Sequence, residues 1–226
     1  MTARGLFVTG TDTGVGKTRV AVALIHALRA AGLRVAAMKP VSAGSAPGGV
    51  NEDVAALLQA ANVPAEMRDV NPYAFEPAIA PHLAAQQAGA RIELGVIAEA
   101  YARLAARADV VVVEGAGGWR VPLNEREDMA DLAQRLALPV VLVVGLRLGC
   151  LNHALLTAES IARRQVPWAG WVGNHIDPAM AQAAANLEAL RARLPGPCLG
   201  VQAFSADPAC STDAEPWLTL PQELAS

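Results

Sequence analysis

A lysine and a threonine end the glycine-rich segment GTDTGVGKT, residues 10–18, which follows the apolar run LFV at 6–8. Where a strand turns into a helix, backbone N–H groups and the partial positive charge of the helix N-terminus bind anions. A lysine at that turn reaches the β- and γ-phosphates of a nucleotide, and the hydroxyl that follows it ligates Mg²⁺. We therefore predict that Lys17 contacts the β- and γ-phosphates of a bound nucleotide and that Thr18 ligates Mg²⁺.

The spacing of this loop differs from the usual pattern. Phosphate-binding loops ordinarily place four residues between the outer glycine and the Gly-Lys pair, whereas five residues separate Gly10 from Gly16 here. Gly14 lies within the longer stretch, and its lack of a Cβ would let the backbone approach a phosphate. The loop is thus compatible with an intact nucleotide site, and an ordinary glycine-rich turn is the alternative.

A carboxylate ends a second apolar run, DVVVVE at 109–114, which precedes the segment GAGG. Acidic residues at the carboxyl ends of parallel strands project into the crevice where open α/β sheets bind ligands. Glu114 is therefore a second candidate metal ligand, and the glycines after it would leave room for a ligand beside the backbone. The alternative is a strand-end acid followed by a flexible turn.

Two further charged residues are candidates. Lys39 ends the predicted strand RVAAMK and is one of only two lysines in the chain, the other being Lys17. A compact cation suits phosphoryl transfer, although most lysines are simply solvated. Asp53, in the segment NED, stands where a helix is predicted to begin, and on the residues alone a role as a helix cap is favoured there.

The elements that must position these residues alternate between β-branched runs and Ala/Leu-rich stretches. Runs such as VVVV are apolar on both faces and need helices on both sides, so the sequence predicts a mainly parallel, doubly wound α/β sheet of the P-loop NTPase-like class. We expect one domain over residues 1–226, with strands at 6–9, 34–39, 109–114, 139–144, 169–174 and, more weakly, 198–202. Helices are predicted from about residue 17 and at about 53–61, 91–107, 125–137, 152–165 and 178–193.

Three segments show little periodicity. Residues 42–53 and 71–82 are predicted to be loops, and loops of that length in a compact domain are usually functional or mobile. Residues from about 205 to 226 are expected to be irregular and to wrap the surface.

The composition narrows the classes of protein. Hydrophobic residues make up 53% of the 226 residues and charged residues 17%, which is typical of a folded chain. A formal net charge of −3 and the lack of a Lys/Arg run argue against nucleic-acid binding. The longest apolar run, LPVVLVVGL at 138–146, is too short for a membrane span, and three scattered cysteines suit a reducing compartment. We expect a cytoplasmic protein with no membrane or nucleic-acid partner.

Seven motifs, in order, resemble those of the dethiobiotin synthetase family: GTDTGVGKT, KPVSAG, NED, NPYAFEPAIAPH, VEGAGGW, VGLRLGCLNHALLT and GWVGNH. The resemblance includes the five-residue spacing of the first loop. It implies an ATP- and Mg²⁺-dependent cyclo-ligase of biotin biosynthesis. Such an enzyme converts 7,8-diaminopelargonic acid (7,8-diaminononanoate) and CO₂ to dethiobiotin, ADP and phosphate, through a carbamate and a carbamic–phosphoric anhydride.

The resemblance also implies roles for individual residues. Lys39 and Lys17 would be catalytic, and the metal would be held by Thr18, Asp53 and Glu114. The nucleotide would contact Gly14, Val15, Gly16, Lys17, Thr18, Arg19, Asp53, Glu114, Gly115, Ala116, Gly117, Asn174 and His175. The diamine would contact Thr13 and Ala43, and its carboxylate would be received across a homodimer interface by the backbone of Gly149, Cys150, Leu151 and Asn152.

Some positions depart from the family pattern. Ala43 stands where Ser or Thr is frequent, Gly14 where some members have Glu, and His175 where an Asp is common. Asn186 replaces a Tyr near the substrate tail, and residues 203–205 replace a Pro-Trp-Leu segment that flanks the base in some members. These departures bear on base selectivity and substrate affinity.

The alternative function is an ATP-operated dimeric switch of the partition or metallochaperone ATPase type. Such proteins often carry a second lysine near the outer glycine of the loop, where this chain has Thr11. They also have no need of Lys39.

Overall fold

Six parallel strands form the central sheet of the computed structural model, which describes residues 4–46, 48–205 and 217–224. The strands of the described chain are β1 (Arg4–Gly10), β2 (Val35–Met38), β3 (Val41–Ala43), β4 (Tyr73–Phe75), β5 (Val110–Glu114), β6 (Val140–Leu146), β7 (Trp168–His175) and β8 (Cys198–Gln202). The order in the central sheet is β2-β5-β1-β6-β7-β8, and every pairing in it is parallel.

Helices cover both faces of this sheet, as the apolar runs predict. They are α1 (Lys17–Ala30), α2 (Glu52–Ala60), α3 (Met67–Val70), α4 (Pro81–Gln87), α5 (Leu94–Ala105), α6 (Met129–Leu136), α7 (Cys150–Arg163) and α8 (Ala183–Arg193). Successive valines of β5 alternate between two buried clusters: Val110 and Val112 pack on the side of α1, and Val111 and Val113 on the side of α5. The predicted doubly wound α/β class is confirmed.

Part of the loop prediction is wrong. Strands β3 and β4 lie within or beside the predicted loops 42–53 and 71–82, and they form a separate two-stranded parallel sheet in which Ser42 pairs with Ala74. Helices α3 and α4 also occupy stretches where we predicted no helix. Strands of three residues are too short to show an alternating pattern, and their pairing partner is distant in sequence, so local periodicity misses them.

Helix α6 begins later than predicted, at Met129 rather than about residue 125. Asp128 accepts hydrogen bonds from the backbone N–H groups of Ala130 and Asp131, and the Asp131 side chain accepts one from the N–H of Asp128. This reciprocal capping box satisfies N–H groups that the first turn leaves without partners, which fixes the start of the helix.

The described end of the chain packs on the α1 side of the sheet. Leu218 bridges to Gly200, a short 3₁₀ turn spans Gln222–Leu224, and both Leu218 and Leu224 are buried. The rest of the segment predicted to be irregular, residues 206–216, which include Cys210, and residues 225–226, lies outside the described residues. Across the described ranges, the longest apolar helices fall short of what a membrane crossing requires.

Candidate nucleotide and metal site

An open cleft of about 1360 Å³ lies where the carboxyl ends of β1, β2 and β5 meet. Because these strands are parallel neighbours, the residues that follow them converge at one edge of the sheet. The cleft is lined by twelve of the residues predicted for the site: Thr13, Gly14, Gly16, Lys17, Thr18, Arg19, Lys39, Ala43, Asp53, Glu114, Ala116 and Gly117. The structure thus brings together the phosphate loop and the charged residues that the sequence placed far apart.

The glycine-rich loop closes tightly before α1. Gly14 and Gly16 have φ angles of 72° and 87°, in the left-handed region that glycine adopts without strain. A Cβ on Gly16 would lie 2.1 Å from the side-chain nitrogen of Asn174, so no larger residue fits there. Asn174 Nδ2 in turn donates a hydrogen bond of 2.8 Å to the Val15 carbonyl oxygen and holds the loop against β7.

Asp12 organises the longer loop. Its backbone carbonyl accepts a 2.9 Å hydrogen bond from Lys17 Nζ, and its carboxylate accepts bonds from the Thr13 N–H at 2.7 Å and from Arg147 at 2.5 Å. Arg147 comes from the turn between β6 and α7, so this ion pair ties the phosphate loop to that turn. Neither partner was predicted from the sequence, because the pairing of an acid with an arginine so far along the chain leaves no local signal.

Lys39 is a buried lysine that lies between the buried carboxylate of Glu114 and the half-exposed carboxylate of Asp53. Its Nζ is 2.7 Å from Asp53 Oδ2 and 2.5 Å from Glu114 Oε1, and the residue is only 4% exposed. The Thr18 hydroxyl lies 2.8 Å from Asp53 Oδ1 and 3.0 Å from Glu114 Oε1. The interpretation of Lys39 as a solvated surface lysine is therefore wrong.

Asp53 is not the cap of its helix. The N-cap of α2 is Asn51, whose side-chain oxygen accepts a 3.1 Å hydrogen bond from the Asp53 backbone N–H. The carboxylate of Asp53 is left free to face Thr18 and Lys39. The interpretation of Asp53 as a helix cap, which the residues alone favoured, is therefore wrong, because Asn51 already caps the helix.

Burial and charge act differently on the ionisable groups. Burial lowers the pKa of Lys17 to about 8, against a partial opposing effect of Glu114. Burial alone would also lower the pKa of Lys39, but the charges of Glu114 and Asp53 outweigh it and raise that pKa. Burial pushes the pKa of Asp53 upward, yet the neighbouring Lys39 ammonium brings it below its usual value. Lys39 and Asp53 thus form a charged pair at neutral pH.

The oxygen atoms around Lys39 suit a hard divalent cation. Thr18, Asp53 and Glu114 offer a hydroxyl and two carboxylates, and Glu114 Oε2 is buried without a hydrogen-bond partner in the described structure. Among the described residues, no group of three or more His, Cys, Asp and Glu side chains forms a dedicated metal cage. Two carboxylates completed by phosphate oxygens and water are what Mg²⁺ commonly uses beside a nucleotide. The donor set therefore fits Mg²⁺.

Some predicted residues do not line the cleft. They are Val15, Gly115, Asn174, His175 and the turn at Gly149, Cys150, Leu151 and Asn152. Asn174 is 2% exposed and engaged with the loop, so its contact with a base stays a prediction. The turn at 149–152 begins α7 beside Leu148, which is 92% exposed. A role for this turn in the same site requires a second chain, and that too stays a prediction.

One wall of the cleft was not predicted as part of the site. Residues 78–81, from the motif NPYAFEPAIAPH, face the cleft together with Ser42, and Gln202 lines it near Arg19. The motif belongs to the family resemblance, but no site residue was predicted in it, and its length indicated a loop.

The fold and the loop together define a P-loop nucleotide-binding α/β protein. The MinC:MinD cell division complex of Aquifex aeolicus has the same fold, with a TM-score of 0.56 and 17% identity over 88% of this chain and 81% of that one. A family model described as an AAA domain matches residues 4–202.

Two relatives are both described as ATP-dependent dethiobiotin synthetase BioD. The protein of Nitrosospira multiformis is 54% identical over 88% of this chain and 87% of its own length. That of Aromatoleum aromaticum is 52% identical over 91% and 94%, respectively. The chain therefore belongs to the dethiobiotin synthetase family and to the wider family of that AAA domain model, which confirms the resemblance inferred from the motifs.

Proposed function

We propose that the protein is an ATP-dependent cyclo-ligase that carboxylates 7,8-diaminopelargonate with CO₂ and closes the ring to dethiobiotin. Family membership supports this reaction over the switch alternative, since relatives that are 52% and 54% identical bear the name of the ligase. The observation that carries it in the structure is Lys39, whose ammonium lies in the cleft between Asp53 and Glu114 and opposite the phosphate loop. The likeness to MinD concerns the fold alone.

The proposed reaction must join two groups of like charge. One amine of the diamine captures CO₂ as a carbamate anion, and a carbamate oxygen attacks the γ-phosphorus of ATP, so that ADP leaves. The second amine then attacks the carbonyl carbon, and phosphate leaves as the ring closes. Cations placed where negative charge accumulates lower the barrier to such a step. Two lysines line the described cleft, Lys17 and Lys39, and their ammonium groups are cations of this kind.

Thr18, Asp53 and Glu114 would hold Mg²⁺ in the working enzyme. A bound Mg²⁺ supplies charge neutralisation on the β- and γ-phosphates. Lys39 contacts two of the three proposed ligands, so its ammonium lies beside the position that the metal would occupy. From there the ammonium would face the γ-phosphate and the carbamate.

The turn at 149–152 would receive the substrate carboxylate from a second copy of the chain. Backbone N–H groups at the start of α7 can donate hydrogen bonds to an anion, and Gly149 begins this turn with a positive φ of 95°. Exposed apolar side chains lie nearby: Leu148, in the turn before α7, is 92% exposed, and Leu156, on α7, is 57% exposed. We therefore propose a homodimer whose interface includes α7, acting in the cytoplasm where ATP is available.

The function is tested by incubating the protein with diaminopelargonate, bicarbonate, Mg²⁺ and ATP. We expect dethiobiotin, detected by mass, with one ADP formed for each product molecule. ATP hydrolysis that needs another protein partner, without any dethiobiotin, would favour the switch.

The proposed interface predicts that Leu156→Glu yields a monomer. An uncompensated charge at a buried contact costs about 3 kcal/mol, which corresponds to about a 100-fold weaker dimer. The rate of ring closure should fall as the dimer dissociates. The affinity for ATP should be retained, because the phosphate loop belongs to a single chain. Light scattering and calorimetry measure the two effects. Val96→Glu, at a 44% exposed position of α5, is the matched control and should stay dimeric. A dimeric Leu156→Glu protein would contradict this interface.

The lowered pKa of Lys17 predicts a pH-dependent affinity for ATP. Below about pH 8 the ammonium is already protonated, and affinity should be constant. The phosphates favour the charged form, so binding above that pH must take up a proton, and affinity should fall by up to about tenfold per pH unit. Calorimetry between about pH 7 and pH 10 measures the slope. Lys17→Arg stays charged in this range and should remove the slope; an unchanged slope in that variant would assign the titration to another group.

A further inference from the structure

We propose that Asn71 is a positioning residue for Lys39: its side-chain amide fixes the backbone from which the catalytic ammonium projects. This inference rests on the proposed function for the role of Lys39, but its geometric part concerns the free protein. Asn71 opens the motif NPYAFEPAIAPH, to which the reaction as described above gives no role.

Lys39 lies outside the ladder of the central sheet. Strand β2 ends at Met38, and Pro40, which has no N–H to donate, follows Lys39 immediately. The Lys39 N–H donates instead to the Val70 carbonyl at 2.8 Å, at the end of α3. The sheet therefore does not determine the direction of this side chain, and contacts from residues 70–73 take its place.

The side chain of Asn71 makes the other half of that contact. Its Nδ2 donates to the Lys39 carbonyl at 2.6 Å and to the Tyr73 carbonyl at 3.2 Å, and its Oδ1 accepts from the Ser42 hydroxyl at 2.9 Å. Asn71 is 6% exposed, and these hydrogen bonds give both the nitrogen and the oxygen of its amide partners inside the protein. The peptide groups on both sides of the Lys39 Cα are thereby held from one short segment.

The chemistry of the amide makes this role specific to asparagine. Holding Lys39 and Ser42 together needs a donor and an acceptor on one short planar group. An aspartate of the same shape still accepts from Ser42, but it presents an oxygen to the Lys39 carbonyl and repels it. An alanine removes every bond and leaves buried carbonyls without partners, each of which is costly.

Chemical labelling tests the geometry directly, because Lys17 and Lys39 are the only lysines in the chain. The reagent is acetic anhydride, and peptide mass spectrometry measures the acylation rate at each lysine. The rate at Lys39 should rise about tenfold in Asn71→Ala. That factor corresponds to about 1.4 kcal/mol, which is of the order of one buried hydrogen bond. The rate at Lys17 should stay unchanged and serves as the internal reference. Asn71→Asp, which preserves the volume of the side chain, is the second variant in case the alanine variant does not fold.

Turnover gives the second readout. Both variants should lose about 10²-fold in kcat, since misplacing a reacting group by about 1 Å costs that much, while the Kd for ATP stays unchanged. The matched control is Asn124→Ala: Asn124 is 9% exposed and ties the Ile92 carbonyl to a turn, but it does not line the cleft. It should lower the melting temperature without changing kcat or the labelling of Lys39.

Three results would overturn the proposal. They are an unchanged Lys39 labelling rate in both Asn71 variants, an equal rise at both lysines, or a loss of kcat in Asn124→Ala that matches the loss in Asn71→Ala. If the unaltered protein makes no dethiobiotin, the proposed function fails, but the labelling experiment still decides whether Asn71 holds Lys39.

Discussion

Lys39→Gln should abolish turnover, by about 10³-fold or more, while ATP binding is largely retained. Glutamine matches much of the length of lysine but carries no charge, so the developing negative charge between carbamate and γ-phosphate would lose its stabilising cation. Nucleotide affinity should survive because the phosphates are held mainly by the loop and Lys17. Steady-state rates of dethiobiotin formation and calorimetry with a non-hydrolysable ATP analogue measure the two quantities separately.

The control is Arg34→Gln, which also removes a cation from the β2 region. Arg34 forms an exposed pair with Asp109 just before β2, at the end of that strand opposite Lys39. Exposed pairs contribute little to stability, so the rate should be nearly unchanged. Wild-type rates in the purified Lys39→Gln protein would refute the mechanistic role of that lysine.

Asp53→Asn should raise the Mg²⁺ concentration needed for half-maximal rate by about 10²-fold and lower the rate at limiting metal to match. The neutral amide keeps the shape of the side chain but removes one of the two anionic oxygen ligands that we propose for the metal. A Mg²⁺ titration of turnover, together with Mn²⁺ binding followed by electron paramagnetic resonance, measures the effect with and without catalysis.

Glu52→Gln distinguishes a metal role from a helix-dipole role. Glu52 and Asp53 both lie in the first turn of α2, so both charges interact with the helix dipole, which is worth about 0.3–1 kcal/mol for each. Of these two acids, Asp53 alone contacts Thr18 and Lys39 in the described structure. Equal shifts in Mg²⁺ requirement for the two variants would reduce Asp53 to a contributor to helix stability.

The strongest local patterns predicted the central fold correctly. The run VVVV is apolar on both faces, and burial on both faces of β5 is what the structure shows. Gly14 and Gly16 marked a turn whose positive φ angles glycine adopts without strain. Such features depend on neighbouring residues alone, so a reader of the sequence can recover them.

Features that depend on distant partners were missed or misjudged. Strands β3 and β4 pair across about 30 residues, and neither is long enough to show an alternating pattern in the sequence. On the residues alone Asp53 was favoured as a cap, and only the family resemblance made it a metal ligand; the structure shows Asn51 as the cap. The amide of Asn174 is engaged with the Val15 carbonyl, a contact between β7 and the phosphate loop that no spacing in the sequence reveals.

By itself, the sequence determined the class of the protein, its phosphate loop and the family to which it belongs, because these reside in contiguous motifs and in the short-range pattern of apolar residues. Only the tertiary structure decided that Lys39, Asp53, Glu114 and Thr18 share one set of hydrogen bonds. It also decided that Asn71 holds the backbone of that lysine. The physical reason is that a parallel sheet gathers the ends of strands distant in sequence at one edge, and charges buried there acquire their partners only once the chain has folded.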